Sequence, residues 1–558
     1  GEPSPFLPQS DDEKASADSA KPAAPPAAGA APAPRPVAID FDGLSQRVLA
    51  VDVLARNYAD LIPGPEGAIF FVESSQASPS PGTLNAEPTT FSLSRHDLAT
   101  RKAQALVAGV SSYAISADGK KLLYRQGTDW RLVDADKPVP PTAPRLAVTL
   151  NMRLDPRAEW RQIFREAWRL QRDFFYVSNI HGADWNEVWR KYSPWVEHVG
   201  HRADLTYLLD ILGGETSVGH SFVFGGELPE FDRPSIGLLG ADLTVQEGRF
   251  RVSRILTGEN WNPELRAPLS APGVDVREGD YLLAVNGVDV RPTREAAAWF
   301  EGTAGKQVVL TVNQQPTLIG ARQVTVVPVA SEDGLRSRAW VEDNRRMVDR
   351  LSNGRLAYVW LPNTGNGGYT YFNRYFFAQQ DREGVVIDER WNGGGSAADY
   401  VIDVLRRQLF GYFNNPVGDR ALFRTPQAAI WGAKVLVINE MAGSGGDLLP
   451  FMFREAKLGP LVGTRTWGGL VGTWDTQQLV DGGIITNPRG GFINPRGEWD
   501  VENVGVAPDV EVEMTAKEVN AGRDPQLERG VQEALRQLQA QPVRTMVEPP
   551  PPIRVKRP

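Results

Sequence analysis

The segment Lys434–Phe453, KVLVINEMAGSGGDLLPFMF, holds the residues with the clearest capacity for chemistry. An apolar run, Val435–Ile438, leads into a glycine-rich turn with one serine, Ser444, and a helix-compatible stretch follows from Asp447. Gly443, Gly445 and Gly446 let the backbone turn sharply and leave the hydroxyl uncrowded. A helix beginning just past the serine would aim its free N–H groups and partial positive charge at that hydroxyl. Such a layout suits a nucleophile that attacks a carbonyl and has its oxyanion held. Glycine-rich strand-to-helix turns also bind phosphate or serve simply as turns. A serine hydroxyl needs a base at neutral pH, and the chain has five histidines: His96, His181, His198, His201 and His220. The absence of Cys excludes a cysteine nucleophile, thiolate zinc sites and disulfides.

These residues need elements to position them. At 558 residues, with 41% hydrophobic content and 15 Trp, the chain is long enough for three or four domains with large cores. Sixty basic against 68 acidic residues leave a net charge of -8 without a dense basic stripe, which argues against a nucleic-acid partner. No apolar run approaches the roughly 18 residues that span a bilayer. Beginning GEPSPFLPQ, with neither Met nor a signal-type apolar segment, the chain reads as a processed product or a fragment.

Residues 1–37, rich in Ala and Pro, read as a disordered linker. Residues 38–150 carry short alternating strands such as GAIFFVE and DWRLVDAD, material for about two blades of an incomplete β-propeller. Residues 151–232 read as a small helical domain, with Trp160, Ile163, Phe164 and Trp168 near helical spacing and a second run over Trp185–Trp195. In 233–332, GVDVREGDYLLAVNGVDV carries the signature of a PDZ domain at Gly279, Asp280, Leu282, Val285, Asn286 and Gly287. Upstream, Ile236–Gly240 (IGLLG) stands where such a domain binds a peptide carboxylate through exposed N–H groups; a rigid spacer is the equal alternative. From 333 to 540 strands alternate with helices as in an α/β domain, LAYVWLP, GVVIDER, KVLVIN and GPLVGTR being the expected buried strands. Asp524 and Pro525 read as N-cap and first turn of a closing helix, and 541–558 as a Pro-rich tail. The fold class expected is therefore multidomain α+β.

A helical segment, a PDZ domain and an α/β domain bearing NGGG, AGSGGD, RTWGG and VENVGVAPD, in that order, resemble the tricorn-like branch of the tail-specific (S41-type) serine peptidases. The resemblance implies a ClpP/crotonase-like catalytic domain in which Ser444 is the nucleophile and His220, in GETSVGHSF, the general base. It implies that Glu502, in DVENVG, is the acid that orients the base through a hydroxyl. Gly394, within Asn392–Gly395, is then expected to offer an oxyanion N–H, to within one position, with Gly445 as its partner. The bland readings are a capped or core His, a surface carboxylate in a turn and a flexible NGGG loop. Neither a metal nor a cofactor is implied. A peptide substrate and a homo-oligomer of hexameric form are implied. The resemblance points to the cytoplasm, and a Cys-free chain suits the periplasm equally.

Two residues depart from the family pattern. Gly219 stands where the family has a serine between base and acid, leaving Thr216, Ser217, a water or direct Glu502–His220 contact to replace it. Phe413 (or Asn414), in GYFNNP, stands where the family's specificity carboxylate lies, so weaker preference for Lys or Arg before the cleaved bond is expected. The family's other branch uses a Ser–Lys dyad, but Lys457, on the helix just after the serine, is badly placed for it. Trp467 is expected to shape a nearby loop or simply to pack. Two rival functions are a non-catalytic PDZ-containing peptide-binding scaffold and an esterase-like serine hydrolase.

Overall fold

The structure, a computed structural model, describes residues 41–42, 48, 50–54, 56–65, 67–74, 91–149, 151–229, 231, 233–474, 476–543 and 546–556. The linker expected over 1–37 lies outside them. The described residues fall into two compact units, one ending at Met152 and the other running from Arg153.

In the first unit, six antiparallel strands from Tyr58–Pro63 to Asp129–Asp134 form one sheet in chain order. Phe70, Leu93, Val110, Leu122 and Tyr124 are its core. The strands expected as blade material form one continuous sheet. The reason is the long strand Lys102–Ile115, which pairs with Phe91–Asp97 along its first part and with Lys121–Gln126 along its second. Its register shifts near Val110 bend one strand between two neighbours instead of breaking it.

The second unit begins with helices Pro156–Phe174, Trp185–Tyr192 and Arg202–Gly214. Asp155 and Asp184 cap the first two through their carboxylates. The helices are latched by indoles: Trp168 Nε1 donates to the Trp185 carbonyl at 2.8 Å, and Trp185 Nε1 to the Trp168 carbonyl at 2.9 Å. Burial of two large rings thus leaves no indole N–H unpaired.

A five-strand path runs from Ala241–Gln246 to Arg322–Val326 around Leu282, Val285, Leu310 and Val312. Three of the N–H groups in the upstream loop are already taken. Gly237 donates to the Phe300 carbonyl, Leu238 to Val329 and Gly240 to Glu332 Oε1. A carboxylate-capturing loop needs those donors, so the local geometry favours the spacer alternative.

The last sheet is wholly parallel and follows chain order: Leu356–Trp360, Gly384–Asp388, Lys434–Ile438, Leu461–Gly463 and Val510–Glu511. All four apolar runs singled out in the sequence are in it. Helices Asp333–Ser352, Asn366–Ala378, Ala398–Leu405 and Pro525–Ala540 complete the domain, and Val385–Ile387 and Val435–Ile438 are fully buried. Asp524 caps the closing helix as expected, its Oδ1 accepting from the Leu527 N–H. The same carboxylate grips Arg390, fully buried, which also forks onto Asp388. Two carboxylates hold the guanidinium charged inside the protein, anchoring the strand end from which the NGGG loop departs.

Candidate active site

Parallel strands deliver their functional loops at their carboxyl ends. Strand Lys434–Ile438 ends in the serine turn, and helix Gly445–Glu455 starts immediately after Ser444. Ser444 is half-buried at φ 60, ψ -116, a conformation a side chain adopts only when its surroundings impose it. The imposing group is Asp447. One of its oxygens accepts the N–H groups of Ser444 (2.9 Å) and Gly469 (3.1 Å), and the other accepts Gly468 (2.8 Å) and the Thr466 hydroxyl. The carboxylate thus ties the nucleophile turn to the loop 466–469. Burial pushes its pKa up, and these four bonds oppose the shift.

Strand Gly384–Asp388 delivers the NGGG loop to the same place. A Cβ on Gly394 would lie 2.6 Å from Ser444 Cβ and 3.0 Å from its Oγ, and φ there is +84°, so only glycine lets the loops approach. The Gly394 N–H donates to Asn392 Oδ1 at 2.9 Å. Among the described residues the N–H groups of Gly445 and Gly395 have no acceptor.

His220 arrives from the helical segment, which docks on the loop 471–486. Gln171 Nε2 reaches the Thr486 carbonyl (2.8 Å), Arg202 pairs with Asp481, and the Thr486 hydroxyl donates to the His220 carbonyl. The imidazole lies 5.3 Å from the Trp467 ring, centroid to centroid, and that indole also packs against the serine turn at Gly443. Trp467 is therefore the shared neighbour of base and nucleophile. His220 Nδ1 has no hydrogen-bond partner, and no hydrogen bond joins Ser444 Oγ to His220 among the described residues; catalytic bonds of this kind often tighten only as substrate binds. Burial lowers the His220 pKa and nearby Glu502 works against that shift, so the imidazole is neutral at pH 7 and able to accept a proton.

Glu502 Oε1 accepts the Gly219 N–H at 2.9 Å, while Oε2 accepts Leu470 (2.7 Å) and Val471 (2.8 Å). It thus holds the residue before the base by its backbone and acts on the imidazole through space, because His220 Nδ1 has no partner. Thr216 does not replace the missing serine: its hydroxyl donates to the Gly213 carbonyl at 2.7 Å. Trp467 fills that space instead. A Cβ on Gly219 would lie 2.9 and 3.0 Å from Trp467 ring carbons and 3.3 Å from Gly469 Cα. Gly219→Ser is therefore expected to lower kcat/KM by about tenfold through overpacking, and adding Trp467→Ala should recover part of the loss. Steady-state kinetics of the single and double variants decide it; an increase with Gly219→Ser alone refutes the steric account.

Among the other histidines, His96 is fully buried in the first unit and His201 caps helix Arg202–Gly214. His181, with Tyr176, lines a cavity of about 110 Å³ that also touches Glu502. Tyr176 OH lies 2.5 Å from its Nε2. Phe413 is exposed in the hairpin of Gly411–Phe413 with Phe423–Thr425, and none of the contacts above reaches it. Lys434 is buried and depressed to about 8 by desolvation. It sits at the opposite end of its strand from the serine turn, too far to serve as a base.

One buried acid was missed. Glu389 is fully buried, neither carboxyl oxygen has a partner, and burial with the Asp447 and Asp388 carboxylates pushes its pKa well above the ordinary range. The folded state therefore keeps a proton that the unfolded chain releases above its ordinary carboxyl pKa. Stability from this group is complete below that value and falls as pH rises toward the folded pKa. Glu389→Gln should weaken this loss, so the variant gains on the parent in denaturant midpoints as pH rises above the ordinary carboxyl range. Parallel pH profiles for the two proteins contradict the assignment.

The fold and site together define an α/β domain that presents a strained serine between a glycine-rich loop and a helix N-terminus, with a PDZ-like domain attached. Matches to known families agree: residues 156–214 match the tricorn protease C1 domain, 237–331 the tricorn protease PDZ domain and 355–512 peptidase family S41. The chain is 36% identical to tricorn protease homolog 1 of Streptomyces coelicolor over 91% of its length and 48% of that protein's. It is 28% identical to the tricorn protease of Thermoplasma volcanium, covering 87% of this chain and 46% of the relative. The crystal structure of the tricorn protease superposes with a TM-score of 0.77 at 27% identity, over 87% of this chain and 47% of that one. The chain belongs to the tricorn-like S41 serine peptidases. It spans about half the length of the curated relatives it matches.

Proposed function

We propose that this chain hydrolyses peptides by acyl transfer through Ser444. His220 takes the hydroxyl proton as Ser444 attacks and returns it to the leaving amine. Glu502 positions the base through Gly219 and stabilises the imidazolium by its charge. The Gly445 N–H and the NGGG loop, at Gly394 or the free N–H of Gly395, receive the oxyanion. The observation that carries this reading is the strained Ser444 at a helix N-terminus, wedged against that loop and sharing Trp467 with a neutral His220. The domain order 38–150, 151–232, 233–332 and 333–540 serves as scaffold. Family likeness supports assembly into a homo-oligomer, with the hexamer as the form to test by light scattering.

A fluorophosphonate probe tests the reading: it should modify Ser444 stoichiometrically, with the site located by peptide mass spectrometry. Absence of labelling at Ser444 returns the chain to the scaffold alternative, and ester turnover without peptide turnover to the esterase.

A further inference from the structure

Beside His220 the protein exposes a row of aromatic rings that packing does not consume. Phe222, Phe224 and Trp467 are 38%, 55% and 43% exposed. Phe222 lies nearly parallel to Trp467, with centroids 6.2 Å apart and planes at 19°, and Phe224 follows at 5.8 Å. The row is continuous with the base, whose ring is 5.9 Å from Phe222 and 5.3 Å from Trp467. It is also rigid. Phe224 is in a ladder opposite Ile484, and the Phe222 N–H is bonded to Thr486 Oγ1 at 2.8 Å. The charges beneath Gly226, Arg202 and Asp481, are paired with each other.

The chemistry fixes which part of a peptide meets this row. The base delivers its proton to the leaving nitrogen, so the residue carrying that nitrogen lies on the His220 side of the scissile carbonyl. The oxyanion loop and the residue before the bond lie on the other side. We infer that Phe222, Phe224 and Trp467 form a primed-side subsite that selects peptides with an aromatic or large aliphatic side chain one or two residues after the cleaved bond. This rests on the peptidase reading of the site. Ring-on-ring contact favours aromatic side chains, and a carboxylate there would lose water without gaining a partner.

The test uses internally quenched peptides of constant sequence before the cleaved bond, with Phe, Leu, Gly or Asp at the first or second position after it. In the parent chain kcat/KM for Phe should exceed that for Asp by about tenfold or more, and Leu should fall between. Phe224→Ser should bring the Phe-to-Asp ratio below about threefold. The fluorophosphonate labelling rate, which needs no primed residue, shows whether the nucleophile is intact in the variant, and Phe222→Leu supplies a second, milder lesion. Ser444-dependent turnover with a flat primed-side profile overturns the subsite but not the peptidase. A preference that survives Phe224→Ser and Phe222→Leu with intact labelling overturns it as well. Lack of Ser444-dependent turnover on every peptide removes the peptidase reading, and this inference with it.

Discussion

Ser444→Ala should lower kcat for a good peptide substrate by about 10⁴-fold or more while KM changes little. The hydroxyl forms a bond only as the reaction proceeds, so its loss removes transition-state stabilisation and little ground-state binding. His220→Ala should cost a similar factor, because the hydroxyl at neutral pH is a weak nucleophile without a base. The double variant should be scarcely worse than either single one, since each loss disables the same step. Steady-state kinetics on all three proteins, with KM reported separately, give the answer. Multiplicative losses would mean that the two residues act independently, and the mechanism would then be wrong. Residual activity should reflect the surviving N–H donors at Gly445 and the NGGG loop.

Asp447→Ala should have the largest effect on stability, about 3–5 kcal/mol. Its carboxylate is fully buried and accepts from Ser444, Gly468, Gly469 and Thr466. Alanine strands the Gly468, Gly469 and Thr466 donors, while the Ser444 N–H keeps the Gly469 carbonyl at 2.9 Å, and each buried unsatisfied group costs about 1–3 kcal/mol before relaxation. Its bond to the Ser444 N–H adds to the one that the same N–H makes with the Gly469 carbonyl, and both hold Ser444 at positive φ. Fluorophosphonate labelling should therefore slow even under conditions where the variant is fully folded. Guanidinium unfolding and labelling rates measure the two effects separately. A stability within about 1 kcal/mol of the parent's would show that the turn does not depend on this clamp.

Local chemistry was the most legible part of the chain. The serine turn, the strand before it, the helix after it and the Asp524 cap depend on residues adjacent in sequence, and all appear where the residue types required them. The parallel sheet was legible for the same reason, because apolar runs without alternation must be buried on both faces. Less of the first unit could be read. Strand content was clear there, but blade boundaries depend on which strands pair, and the 14-residue strand Lys102–Ile115 joins what looked like two groups. The loop Ile236–Gly240 looked available for a carboxylate because nothing local shows that Phe300, Val329 and Glu332 take three of its N–H groups.

The sequence alone determined the glycine-rich serine turn and the apolar strand before it, since these rest on residue type and near-neighbour spacing, whereas the candidate base and acid came from the family resemblance. Tertiary structure alone decided how these work together. Glu502 reaches Gly219 across 283 positions, Asp447 reaches from the turn to the loop 466–469, and Trp467 occupies the space of the missing serine. Glu389 illustrates the same division. Its carboxyl is an ordinary acid in the unfolded chain, and only burial beside Asp447 and Asp388 makes it hold its proton. Hydrogen bonds, exclusion of side chains and desolvation act through distance in space, which a linear order of residues does not specify.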